Sequence, residues 1–170
     1  MTHYRGYTLI ELIVSVGLFS LVMLMASGAY LMMISSNRNA QGITTGIDNL
    51  SFALETMTRN IRTGTDYSCN LSGDCLNGAS SFSFTNAKGI AVTYDLLGTM
   101  IQETTGGESS MLTDSSVNIS SLMFYVFGTD PTDEEQSRVT MVISGTVSVE
   151  RGRTESFTIE TGATMRGSDI

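Results

Sequence analysis

From Leu12 to Ile34 the chain runs for 23 residues without a charge, and most of them are Leu, Ile, Val, Met, Phe or Ala. A stretch of about 18 or more such residues is long enough to span a bilayer as a helix. The apolar region of a secretory signal is shorter, about 7–15 residues. The default reading is therefore a membrane helix that stays with the protein. Ala26-Ser27-Gly28, followed by Ala29, offers the small residues a signal peptidase needs, so removal of everything before Ala29 is the competing reading. Glu11, at the very start of the run, argues against it. A charge near the centre of a membrane helix costs about 2.5–3.5 kcal/mol on insertion scales, and less at the edge. A carboxylate kept at that cost calls for a partner.

The remainder of the 170 residues is polar and rich in Ser, Thr and Gly, with Pro131 as its one proline. That length suffices for one domain with a real core. The net charge of -8 and pI of about 4.4 disfavour generic binding of nucleic-acid phosphates. Arg151 and Arg153 form the one local basic pair considered for DNA. Contact with a bilayer must come from the apolar N-terminus, because no basic patch is available for anionic lipid. The one histidine is His3. If the residues before Tyr7 are removed none remains, which excludes His-based catalysis and His metal sites. A membrane-anchored enzyme or receptor would need a catalytic constellation, and neither a Gly-x-Ser-x-Gly nor a P-loop occurs.

The segment Gly6-Tyr7-Thr8-Leu9-Ile10-Glu11 resembles the processing motif of type IV prepilins and of the pseudopilins of type II secretion. The resemblance implies a leader, residues 1–6, cut by prepilin peptidase between Gly6 and Tyr7, with N-methylation of Tyr7. The family usually has Phe after the cut; Tyr7 replaces it with a similar ring. Arg5 supplies the positive charge that keeps a leader cytoplasmic. Glu11 is the fifth residue counted from Tyr7, and in the family that glutamate neutralises the N-terminal amine of a neighbouring subunit. The implied function is a non-enzymatic structural subunit, a minor pilin or pseudopilin, of a type IV pilus-like or type II secretion filament. The implied partners are prepilin peptidase, other pilin or pseudopilin subunits, an inner-membrane assembly platform and the lipid bilayer. The implied location is the inner membrane, single-pass, with the globular part outside the cytoplasm or in the filament. A membrane-anchored receptor or a DNA-uptake pilin is the alternative.

The helical pattern continues beyond the apolar run. Ala40, Ile43, Ile47, Leu50, Leu54, Met57 and Ile61 recur at spacings of 3, 4, 3, 4, 3 and 4, the stripe of an amphipathic helix. Glu55 and Arg59 form an i,i+4 pair, Arg59 and Arg62 suit the negative end of the helix dipole, and Gly64 is a stop signal. One helix over about Thr8–Thr63 is expected, with Gly28 and the Gly42–Gly46 stretch as weak points. Many major pilins carry a proline in the membrane half; here there is none. The divisions are leader 1–6, membrane or filament-core helix 7–34, amphipathic helix 35–64 and globular β-rich domain 65–170.

Residues 65–80 read as a loop dense in Asn, Asp, Ser and Gly. It holds the two cysteines, Cys69 and Cys75. In an exported region their even number makes a disulfide the natural reading. Free thiols are the alternative, and a metal site would want about four ligands where no others stand nearby. Strands are expected around Phe82–Phe84, Ile90–Tyr94, Thr99–Glu103, Ile119–Phe127, Arg138–Val149 and Glu155–Met165. Ile119–Phe127, apolar on both faces, reads as a central strand, and Gly145 as a bulge. The fold class is α+β: a long N-terminal helix, its first half membrane-spanning, packed on an antiparallel β-sheet, pilin-like. The last third is similar to the larger minor pseudopilins and minor pilins. Asp130, Asp133, Glu134 and Glu135 cluster in a turn; calcium there is the one cofactor considered, and a solvated hairpin tip is the plainer reading.

Overall fold

Helix α1 (Leu9–Arg62) extends unbroken for 54 residues, within one residue of the expected span at each end. The computed structural model describes residues 6–69, 74–129, 136–149 and 153–166. It falls into two compact units, Met1–Ala40 and Gln41–Ile170. In the first unit the large apolar side chains from Leu9 to Met33 are exposed, so this part of α1 is no buried core helix. Three of its serines are satisfied within the helix. The hydroxyls of Ser15, Ser20 and Ser27 donate to the carbonyls of Glu11, Val16 and Met23 at 2.7, 2.8 and 2.8 Å. Such back-bonding lets a hydroxyl sit in hydrocarbon without an unpaired donor.

Among its described residues the second unit holds two antiparallel sheets where the sequence suggested one. The first comprises β1 (Thr65–Ser68), β2 (Phe82–Thr85), β3 (Ala91–Leu97), β4 (Met100–Thr105) and β5 (Glu108–Met111), paired in chain order. The second comprises β6 (Val117–Phe127), β7 (Arg138–Ser148) and β8 (Thr154–Thr164), again in chain order. Strands β1 and β5 were not legible. β1 lies in the stretch taken for loop, and β5 is exposed at every residue, so it carries no alternation.

Two other expectations are corrected. β6 is not central: β7 occupies that place, and β6 is an outer strand of its sheet. Its second face stays half-covered because other chain segments run along its free edge. Ala79 bridges Phe124, Cys75 N–H donates to the Val126 carbonyl at 2.9 Å, and Ile119 N–H donates to the Thr99 carbonyl at 2.9 Å. The bulge, too, belongs to β6 and not to Gly145. The register passes from Ile119↔Gly145 to Ser121↔Ser144, which leaves Ser120 as the extra residue. Gly145 sits opposite, where a Cβ would lie 2.3 Å from the Asn118 carbonyl oxygen.

The buried face of α1 is rotated from the expected stripe. It consists of Gly46, Leu50, Ala53, Met57 and Ile61, whereas Ile47 is 51% exposed. Gly46 makes room in this contact for a side chain of the sheet: a Cβ there would fall 2.3 Å from Val147 Cγ1. Gly46 is thus a packing site and no break in the helix. Each of Leu50, Met57 and Ile61 contributes about 1.5–3 kcal/mol by leaving water. They meet an aromatic group of Tyr67, Phe82, Phe84, Tyr94 and Phe124, whose successive ring centroids lie 5.4–5.7 Å apart where Phe82 meets Phe124 and Phe84 meets Tyr94.

The end of α1 is tied into the sheets. Gly64 N–H donates to the Ile61 carbonyl at 2.9 Å, and Arg166 N–H to the Arg62 carbonyl at 2.9 Å. These bonds satisfy carbonyls that a helix end leaves open. The Tyr67 hydroxyl also donates to the Ile61 carbonyl, at 2.6 Å, and Asn60 Nδ2 donates to the Tyr94 hydroxyl at 2.9 Å. Gly64 is required by proximity: a Cβ there would meet the Phe84 ring at 2.3 Å.

Burial pushes the Tyr67 phenol up to about 12 and raises that of Tyr94 as well. A folded-state value above the unfolded one, about 10, favours the neutral phenol in the native state. That stability is fully present below about pH 10 and is lost as pH rises through about 12. We therefore expect tyrosinate absorbance from these two residues to appear together with loss of the native circular dichroism signal. Tyr67→Phe should cost about 1 kcal/mol at neutral pH through its lost hydrogen bond. Ionisation of both phenols in a chain that stays folded would contradict this assignment.

Candidate functional site

At the start of α1, residues Gly6, Tyr7 and Thr8 are exposed and precede the first helical turn. The bond between Gly6 and Tyr7 is accordingly open to a protease. Among the described residues nothing lies within 4 Å of where a Cβ on Gly6 would stand. The chain's own packing therefore makes no demand for glycine here, and a demand for it must come from outside. Tyr7 is 86% exposed, and its ring has no place in the core.

Thr8 and Glu11 form a reciprocal pair that the sequence reading missed. The Glu11 N–H donates to Thr8 Oγ1 at 3.3 Å, and the Thr8 N–H donates to Glu11 Oε2 at 3.4 Å. This is a capping box, Thr-x-x-Glu, legible from residue spacing alone. It satisfies donors that a helix N-terminus leaves open, and it sets a carboxylate in the first turn where the helix dipole favours one. Both side chains are exposed, so the carboxylate keeps lone pairs for a further cation.

Cys69 and Cys75 are joined in a disulfide. Cys69 follows β1, and Cys75 begins the segment that runs along the free edge of β6. The bridge thereby links the edge of one sheet to the edge of the other. A loop this short yields about 2 kcal/mol by chain entropy. Nearby, the Asp74 carboxylate accepts from Thr129 N–H at 3.0 Å and from its hydroxyl at 2.9 Å. Those bonds hold its pKa below the usual carboxylate value.

Asp130, Asp133, Glu134 and Glu135 lie outside the described residues, as do His3, Arg5 and Arg151. Arg153 is described and exposed. Among the described residues no group of three or more His, Cys, Asp or Glu side chains is arranged to hold a metal ion.

The profile of a known family, described as the prokaryotic N-terminal methylation motif, matches residues 1–27. No curated protein and no solved structure matches the chain. The match spans Gly6, Tyr7, the capping box and more than half of the exposed apolar run. Behind it stand a helix long and apolar enough to cross a membrane and an α+β unit with antiparallel sheets. The chain thus carries, over residues 1–27, the N-terminal methylation motif of type IV pilin-like proteins, at the start of a helix long enough to cross a membrane.

Proposed function

We propose that the chain is a non-enzymatic structural subunit, a minor pilin or pseudopilin, of a type IV pilus-like or type II secretion filament. Residues 1–6 are its leader, removed by prepilin peptidase between Gly6 and Tyr7, and the new amine of Tyr7 is methylated. Residues 7–34 anchor it in the inner membrane and then enter the filament core. Residues 35–64 carry the globular domain, 65–170, outside the cytoplasm. Its partners are other pilin or pseudopilin subunits and the inner-membrane assembly platform.

One observation carries the reading: Gly6, Tyr7 and Glu11 stand in register within the matched motif, ahead of an apolar stretch of α1, 12–33, whose large side chains are exposed. Cleavage creates a cation at the end of that helix. A free amine and a carboxylate are each costly in hydrocarbon, and pairing between neighbouring subunits offsets most of that cost. It also sets the axial stagger, since one register brings the groups together. The test is the intact mass of the chain purified from membranes of its native host. Loss of Met1–Gly6 with one added methyl is expected. A mature protein beginning at Ala29 would overturn the proposal.

A further inference from the structure

We propose that the groove between the last turns of α1 and strand β8 receives an extended, acidic strand of a different protein. Strand β8 is the starting point. Among the described residues it has a strand partner on one side only, β7, and pairs with it without a register shift over all 11 of its residues. Natural edge strands are usually blunted by lysine, proline, a bulge or shortness. β8, Thr-Glu-Ser-Phe-Thr-Ile-Glu-Thr-Gly-Ala-Thr, has none of these four, and its charged side chains are two, Glu155 and Glu160. Its row of backbone donors and acceptors is a template for one more strand.

The face of β8 turned toward α1 is incompletely covered. Phe157, Ile159 and Thr161 are only half-buried, in contrast to Met141 and Ile143 opposite on β7. Beside Thr161 lies a cavity of about 540 Å³ bounded by Leu54, Glu55, Thr58, Arg62 and Thr63 of α1 and by Arg166. Arg59 also lines it but is paired with Glu55. The guanidinium groups of Arg62 and Arg166 have no acidic partner among the described residues. Three of the chain's nine basic residues thus border one groove of a protein whose net charge is -8.

The two observations specify the occupant's chemistry. Backbone pairing at the β8 edge demands an extended polypeptide. The half-covered Phe157 and Ile159 favour apolar side chains at alternate positions. Arg62 and Arg166 favour carboxylates near the C-terminal end of β8, where bidentate pairing is open to them. The strand's own acids do not oppose this. Glu160 is on the opposite face, and Glu155 is near the far end. The inference does not depend on the filament assignment.

The test uses the full chain in detergent micelles. The probe is a fluorescent pool of short synthetic peptides with Glu at each end and, between them, randomised Val, Ile, Leu or Phe alternating with Thr. Saturable binding is expected, weakened about tenfold or more by the double substitution Arg62→Glu and Arg166→Glu. Circular dichroism checks that this variant is folded. Alternate backbone N-methylation of the same peptides should weaken binding by about tenfold or more without touching the protein. Four results would each overturn the proposal: no saturable binding, equal binding of a pool with Lys for Glu, indifference to N-methylation, or competition by sodium glutamate as effective as the peptide. Self-association of the chain that the same double substitution abolishes would assign the groove to a second copy and overturn it as well.

Discussion

Replacing Glu11 with glutamine is expected to lower incorporation of the processed chain into filaments by about tenfold or more, while membrane insertion and cleavage continue. The choice of glutamine follows from the capping box. Glu11→Ala removes two things together: the charge that would face a neighbour's amine, and the side chain that accepts the Thr8 N–H. Glutamine retains an acceptor at the third position of the helix and so preserves most of the cap. Loss of the cap alone costs about 1 kcal/mol. An uncompensated buried charge costs several times as much, about 3–5 kcal/mol. Glu11→Ala and Glu11→Gln should therefore fail alike, and Thr8→Ala should assemble nearly normally. The measurement is the amount of each processed variant in sheared filaments, relative to its amount in membranes. Normal assembly of Glu11→Gln would sink the charge-pairing mechanism while leaving the family assignment standing.

The largest change in stability is expected from the smallest possible addition, Gly145→Ala. A Cβ there would lie 2.3 Å from the Asn118 carbonyl oxygen and 3.0 Å from Ile119 Cα. Both are backbone atoms, so no side-chain rotation relieves the collision. β6 must move or the bulge at Ser120 must close, and closing it would shift the pairing of everything beyond. A one-residue slip would turn the side chains on that stretch of β6 to the opposite face. A loss of about 3 kcal/mol is expected, the upper end of ordinary overpacking. That corresponds to a fall in Tm of about 10 °C for a domain of this size. Gly162→Ala is the control, because the nearest atom there, the Val139 carbonyl oxygen, is at 3.6 Å. Thermal unfolding of the full chain in detergent reads both. Equal stability of the two variants would show that β6 adapts around Gly145.

Several features could be read from neighbouring residues because local physics decides them. The run Leu12–Ile34 declares its solvent by composition. Gly6, Tyr7 and Glu11 resemble a processing motif, and the capping box was equally available in Thr8-Leu9-Ile10-Glu11. The span of α1 followed from the apolar run and the stripe that continues it, and β7 from clean alternation.

Other features depend on what meets what across the chain. Gly46 and Ala53 are invisible to a hydrophobic period, yet they define the buried face of α1 because Val147 comes close to Gly46. Gly145 looked like a bulge and is instead the space opposite one. β6 had the apolar character of a central strand, and it acquires that environment at an edge because the segment around Cys75–Ala79 runs beside it. The groove by β8 joins arginines that stand more than a hundred residues apart in sequence, Arg62 and Arg166. By itself, then, the sequence determined the apolar run, the helix and the N-terminal motif, all of which depend on residues within a few positions of one another. Sheet partition, the close contacts at Gly46 and Gly145, and the edge that β8 leaves open among the described residues were decided only by tertiary structure. Backbone hydrogen bonds and steric proximity between distant segments leave no periodic trace in either segment alone.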